Sequence, residues 1–389
     1  MNRLNIAVSD TLTPRAGISK PGNATPPLEN LRQRQSKLRE QLAAQHCDGL
    51  LVFSEQNIRY LTGYTGEAAT VLVTPVAVRL ITDYRFTEEA RESCKATRIY
   101  ERDRDQETLA SCVKRWAKED GCRALAFEPE KVSVAQWAPI ERALSHCTLK
   151  SIQGLIESLR KIKDDWELAQ LVLAAQIADL SLAQCLPLLK PGITEAQFAL
   201  ELEYAMQKNG STGVSFPTIA AFGTNTSRPH AIPGRKTLRE GDLITVDFGA
   251  VVNGYRSDMT RSYVLGNAST KQQRLFDTVR AAQSAALSVL CRGTTGAQAS
   301  EAAHAVLRQS EFAPFAGPGL GHGLGLFLHE QPWLGPHCDE TLQTGYVVTV
   351  EPGIYIPDWG GLRIEDDVRI TDTGFERITH APTLFELIG

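Results

Sequence analysis

The sequence predicts an α+β protein with a small α/β domain followed by a larger domain made of two related halves. Three observations carry this. Two stretches about a hundred residues apart repeat one pattern. Gly241-Asp242-Leu243-Ile244-Thr245-Val246-Asp247 leads to Gly254-Tyr255-Arg256-Ser257-Asp258, and Gly345-Tyr346-Val347-Val348-Thr349-Val350-Glu351 leads to Gly361-Leu362-Arg363-Ile364-Glu365. Each copy reads as a β-hairpin offering two acids, and each is preceded by two helix-period segments. Upstream of both, residues 31–153 alternate strand and helix patterns, as an α/β domain requires.

A chain of 389 residues is long enough for two or three domains with a substantial core. The net charge of -4 argues against a nucleic-acid or anionic-membrane partner. No apolar run is expected to approach the length of a membrane span. The eight cysteines are scattered and form no Cys-x-x-Cys pair, so they read as reduced thiols of a cytoplasmic protein. Residues 1–30 are polar and lack the apolar core of a signal peptide; they are expected to form a flexible leader.

In the first domain, Gly49-Leu50-Leu51-Val52-Phe53 is a short buried strand. Residues 70–74 and 78–82 form a strand pair around Pro75, and 124–127 is a further strand. Helices are expected at 86–93, 107–119 and 134–145. The larger domain is expected to span 154–389 and to open with a long amphipathic helix from about Asp164 to Leu189, stopped by Pro191-Gly192. Thr194-Glu195-Ala196-Gln197 starts the next helix as a capping box. The first hairpin lies within 214–265, and two helices at about 270–292 and 297–310 lead through a glycine-rich turn to the second.

Asn253-Gly254 marks a two-residue type I′ turn, because both central positions need positive φ. Val252 then pairs with Tyr255, and Asp247 shares a face with Asp258 at a diagonal separation of roughly 7–8 Å. A single exposed acid is ordinarily a solvated surface charge. Asp247 and Glu351, however, each end a near-continuous apolar strand. Buried and unpaired they would cost several kcal/mol or protonate, and a divalent cation removes that difficulty. Between the hairpins runs Gly319-Leu320-Gly321-His322-Gly323-Leu324-Gly325, a histidine among glycines that allow close approach. The run satisfies no G-x-G-x-x-G register, and His329-Glu330 does not continue to H-E-x-x-H. Four carboxylates and one imidazole without a thiolate suit Mn, Co, Fe or Zn. They exceed what a single catalytic zinc uses, so two divalent metal ions with a bridging water as nucleophile are expected.

These residues resemble the pita-bread metallopeptidases, the family of methionine aminopeptidase, aminopeptidase P and prolidase. The resemblance covers about 155–389. Residues 31–150 are similar to the creatinase-type N-terminal domain of the proline-directed branch, most clearly at Arg59-Tyr60-Leu61-Thr62-Gly63-Tyr64-Thr65-Gly66. By position, the resemblance implies that Asp247 chelates one ion, that His322 and Glu351 hold the other, and that Asp258 and Glu365 bridge both. It implies a proton-handling role for Glu351, substrate or oxyanion contacts for His230 and His329, and a supporting role through charge pairing for Arg363. It also implies a dimer or tetramer acting on small peptides. One position departs from the pattern: Pro318 stands four residues before the ligand histidine, where the proline-directed branch usually carries a pocket histidine.

The function expected is a manganese-dependent exopeptidase cleaving the Xaa-Pro bond of dipeptides or of peptide N-termini. A hydrolase of a non-peptide C–N bond is the alternative that Pro318 favours. A non-catalytic binding module would have lost ligands, and all five are present.

Overall fold

The computed structural model describes residues 25–387. Internal contacts divide the chain into one unit ending at Arg160 and another continuing from Lys161. The division falls beyond 153 because helix Leu155–Arg160 is tied to the first unit. Arg160 donates to Asn57 Oδ1 at 2.8 Å, and Asn57 Nδ2 reaches Glu157 at 2.7 Å. Residues 1–24 of the expected leader lie outside the described residues, and the first helix, Leu28–Ala44, begins within the leader's expected bounds.

The first unit is built on a six-stranded sheet ordered Arg98–Glu101, Val78–Thr82, Thr70–Val73, Gly49–Val52, Ala124–Phe127 and Thr148–Ser151. Gly49–Val52 runs antiparallel to Thr70–Val73 and parallel to Ala124–Phe127. Leu51, Leu72 and Leu125 pack beneath Val113, Trp116 and Ile140 of two covering helices. The expected hairpin around Pro75 is present. The two edge strands gave no sequence signal, because no residue of either is fully buried and neither carries a clear alternation.

The second unit consists of two halves of the same design. In one, helices Asp165–Cys185 and Glu195–Lys208 cover a sheet ordered Glu386–Leu387, Met259–Leu265, Leu243–Phe248 and Ile219–Phe222. In the other, helices Thr270–Val289 and Gly296–Arg308 cover a sheet ordered Glu330–Leu334, Gly321–Gly323, Val347–Val350, Asp366–Ile370 and Phe375–Arg377. All four helices open with a capping box, at Asp164, Thr194, Ser269 and Thr295. Each therefore satisfies two orphan N–H groups with its own side chains. The stretch Asp165–Leu188 corrects one expectation, since its length and composition would suffice to cross a membrane. Its residues Leu171, Ala174, Ala175, Ile177, Ala178 and Leu182 are buried within the protein.

The two halves meet at the hairpins. Asn253 (φ 48°) and Gly254 (φ 78°) form the expected turn, and Val252 pairs with Tyr255. The same register continues to Asp247 opposite Thr260, so Asp247 and Asp258 are diagonal, as the turn predicted. The second hairpin differs. Ile356 pairs with Gly360 across a three-residue turn, with Asp358 at φ 60°. Val350 pairs with Asp366 in the same register, which sets Glu351 facing Glu365.

Replacing Gly254 with valine forces a β-branched residue into positive φ. We expect a loss of about 1–3 kcal/mol, measured as a lowered urea midpoint with an unchanged slope; an unshifted midpoint would show that the turn bears no such constraint.

Candidate metal centre

Each site residue sits where a strand ends or breaks. Asp247 is the penultimate residue of the fully buried strand Leu243–Phe248, and Asp258 immediately precedes Met259–Leu265. Glu351 follows Val347–Val350, and Glu365 separates Gly360–Arg363 from Asp366–Ile370. His322 is the middle residue of Gly321–Gly323. Its neighbours must be glycine: a Cβ at Gly321 would lie 2.1 Å from Thr349 O, and one at Gly323 would lie 2.3 Å from Gln331 O. The glycines around His322 thus let its strand press against both neighbours.

The ligand atoms of Asp258, His322 and Glu365 all lie within 4.8 Å of one another, and all three residues are buried. His322 Nε2 is 3.6 Å from Asp258 Oδ2 and 3.3 Å from Glu351 Oε1. Its Nδ1 lies 3.0 Å from Gly323 O. A carbonyl only accepts, so Nδ1 carries the proton in the neutral ring and Nε2 turns its lone pair toward the acids. Burial lowers the His322 pKa and favours that neutral form. Thr349 Oγ1 accepts from His322 N at 3.0 Å and donates to Glu351 Oε1 at 3.1 Å.

The electrostatics leave a positive charge wanting. Burial, then the Glu365 charge, pushes the Asp258 carboxyl well above the usual range. Burial, then the Glu351 charge, does the same to Glu365. Burial pushes Glu351 up to about 7. Asp247 gives one oxygen to Arg363, while its Oδ1 is buried without a hydrogen-bond partner. An orphaned carboxylate oxygen beside a lone-pair imidazole and three more acids is costly as it stands. A divalent cation would satisfy these groups, so the residues present fit the divalent metal that the family resemblance implies.

Behind the acids stand residues that sequence reasoning missed. Thr260 Oγ1 donates to Glu365 Oε2 at 2.6 Å and accepts from Arg363 Nε at 2.9 Å. Arg363 also donates to Tyr355 Oη at 2.6 Å. The fully buried Arg261 donates to the carbonyls of Glu365 (2.6 Å), Thr260 (3.0 Å) and Ala381 (2.9 Å), and pairs with Asp366 at 2.7 Å. Asp367 Oδ2 accepts the backbone N–H of Asp258 at 2.9 Å. The available signal was Arg261 itself, a charge inside an otherwise apolar and hydroxylic strand.

The acids open into a cavity of about 360 Å³, lined also by His230, His329, Tyr355 and Arg363 and walled by Phe216, Pro217, Ile219 and Leu328. His329 stands edge-on to His322 with ring centroids 4.4 Å apart, and burial lowers its pKa. His230 is on an exposed loop. Its neighbour Pro229 offers its carbonyl to Arg363 at 3.4 Å. All eight site residues singled out in the sequence, Asp247, Asp258, His322, Glu351, Glu365, His230, His329 and Arg363, therefore border one space. Pro318 is exposed and is not among the lining residues.

Comparison with known proteins agrees with this geometry. Residues 34–162 match the creatinase/prolidase N-terminal domain. The chain is 37% identical over 347 residues to the uncharacterized peptidase YqhT of Bacillus subtilis, covering 89% of this chain and 97% of that one. Among solved structures it is similar to an Xaa-Pro dipeptidase from Bacillus anthracis, with 35% identity, a TM-score of 0.88, and 92% and 100% of the two chains covered. It is also similar to an X-Pro aminopeptidase from Thermotoga maritima, with 30% identity, a TM-score of 0.84, and 88% and 98% covered. With residues 169–372 matching metallopeptidase family M24, the chain belongs to that family, and it has the pita-bread fold behind a creatinase-type N-terminal domain.

Proposed function

We propose that the protein is a dinuclear metal-dependent exopeptidase that hydrolyses Xaa-Pro bonds. The observation that carries this reading is the buried convergence of Asp258, His322 and Glu365, with Glu351 against His322 and an unsatisfied Asp247 oxygen alongside. Asp247 and Asp258 would hold one ion, His322 and Glu351 the other, with Asp258 and Glu365 shared between them. A carboxylate-rich set of this kind suits manganese, with Co, Zn or Fe also accommodated. Bound there, the ions supply Lewis-acid polarisation of a carbonyl and lower the pKa of a water.

The chain's own groups then divide the work. Glu351, whose Oε1 accepts from Thr349 Oγ1 and lies 3.3 Å from His322 Nε2, is placed to accept a proton at its carboxylate and return it to the leaving nitrogen. His230 and His329 flank the cavity as donors to an oxyanion. Arg363 pairs with Asp247 and holds it in place while tethering the loop that bears His230. The small, walled cavity favours short peptides over folded chains. The relatives' names support proline specificity. A cytoplasmic dimer or tetramer is the assembly we propose.

Hydrolysis of Ala-Pro, Ala-Pro-Ala and Ala-Ala-Ala with manganese supplied tests the reading and separates dipeptidase from aminopeptidase. Cleavage of Ala-Ala-Ala as fast as the proline peptides would overturn it.

Glu365→Ala and Asp258→Ala should each lower activity by at least about a hundredfold and release metal. Elemental analysis reads the loss; a Glu365→Ala protein keeping both ions and full turnover would remove that residue from the site. Arg261→Met should weaken metal affinity by about 10–100-fold through Glu365, measured by chelator competition.

The raised acids also set a pH dependence. Their folded pKa values exceed the unfolded value of about 4.3, so the metal-free folded state binds more protons than the unfolded chain. Its stability is fullest below that value and falls as pH rises toward about 7, where Glu351 titrates. A bound cation replaces those protons. The rise in Tm on adding manganese should therefore grow between about pH 4.5 and pH 7; a rise that is flat over this range would contradict it.

A further inference from the structure

The His230 ring lines the metal cavity, yet among the described residues no hydrogen bond fixes it. Its position is therefore set by the backbone that carries it. That loop leaves the edge strand Ile219–Phe222 and returns at Gly234, and Pro229, His230, Ala231, Ile232 and Pro233 between its limbs all line the cavity. Glu195, the first residue of helix Glu195–Lys208, stands between the two limbs. Its Oε1 accepts from Phe222 N at 2.9 Å and from Asn225 Nδ2 at 2.8 Å on the outgoing limb. Its Oε2 accepts from Gly234 N at 3.0 Å on the returning limb. The helix start adds two backbone bonds to that second limb, Glu195 N to Lys236 O and Ala196 N to Gly234 O, both at 3.0 Å.

Glu195 is 1% exposed, and among the described residues no cation pairs with it. A carboxylate only accepts, so three converging N–H donors suit it, and such charge-assisted bonds are strong. Capping of its own helix does not require it, because Thr194 and Gln197 close the capping box by themselves. All three side-chain bonds go to the loop. Further along, Thr226 Oγ1 accepts from Gly361 N at 2.8 Å and docks the outgoing limb on the second hairpin. The bond from Arg363 to Pro229 O is longer, at 3.4 Å, so the shorter Glu195 bonds define the two ends between which His230 stands.

We propose that Glu195 is a positioning residue that fixes His230 over the metal cavity by clamping both limbs of its loop. This rests on the Xaa-Pro exopeptidase reading above, in which His230 donates to an oxyanion. Misplacing such a donor by about 1 Å costs up to about a hundredfold in rate.

Glu195→Gln keeps the size of the side chain, but its NH2 faces an N–H donor whichever way the amide turns. In the manganese-loaded protein at saturating Ala-Pro, kcat should fall tenfold or more, with metal content by elemental analysis unchanged. His230→Ala and the double variant complete a cycle. The double variant should be no slower than His230→Ala alone, because both changes remove the same donor. An unchanged kcat in Glu195→Gln, a loss of metal, or losses that multiply in the double variant overturn the proposal while leaving the exopeptidase reading intact. If Glu195→Gln does not fold, Asn225→Ala, which withdraws one donor of the three, takes its place in the same cycle with an expected fall of threefold or more. Should the wild type cleave no Xaa-Pro peptide, that reading fails, and amide hydrogen exchange judges the clamp independently. Exchange over residues 222–234 that is at least tenfold faster in Glu195→Gln, with helix Thr270–Val289 unaffected, supports it, and equal exchange overturns it.

Discussion

The second unit is organised around one electrostatic problem, the gathering of carboxylates out of water. Asp247, Asp258, Glu365, Asp366 and Asp367 are all buried, and Glu351 is partly buried. The protein answers part of the problem with fixed cations. Arg261 and Arg377 neutralise Asp366, and Arg363 neutralises Asp247. What remains is a cluster facing one imidazole nitrogen, with acids driven toward protonation by burial and by each other. The fixed guanidiniums lock the frame behind it, so the unanswered charge is confined to one place.

The backbone pattern serves that confinement. Acids are placed at or beside strand ends and breaks, where side chains can converge from two sheets. Hydroxyls fill the gaps between charges: Thr260 and Thr349 each hold one carboxylate while also bonding a second group. Removing such a hydroxyl would free two partners at once, which is why networks of this kind hold geometry more firmly than isolated pairs.

Much of this was legible in the sequence because the signals were local. The Asn253-Gly254 turn fixed the first hairpin's register and with it the diagonal of Asp247 and Asp258. The glycines beside His322 announced close packing, and Thr349 and Gln331 provide it. The parts that were hidden depend on distant partners. Arg261 reaches Ala381 and Glu365, and Asp367 holds the backbone of Asp258, over sequence separations that no periodicity reports. The helix Leu28–Ala44 was obscured by its polar composition, which made its first residues read as leader. Leu155–Arg160 was assigned to the wrong side of the division because its tie is a buried network through Asn57.

The unequal turns of the two hairpins have a further consequence. Arms of identical length would give the cluster two interchangeable ends. A two-residue turn in one and a three-residue turn in the other set one acid pair aslant and the other face to face. The scaffold is close to symmetric, yet its centre is polar, with the buried imidazole of His322 supplied by one half alone. A chain molecule entering such a centre meets different chemistry at its head and at its tail, and direction along the peptide becomes something the protein can tell apart.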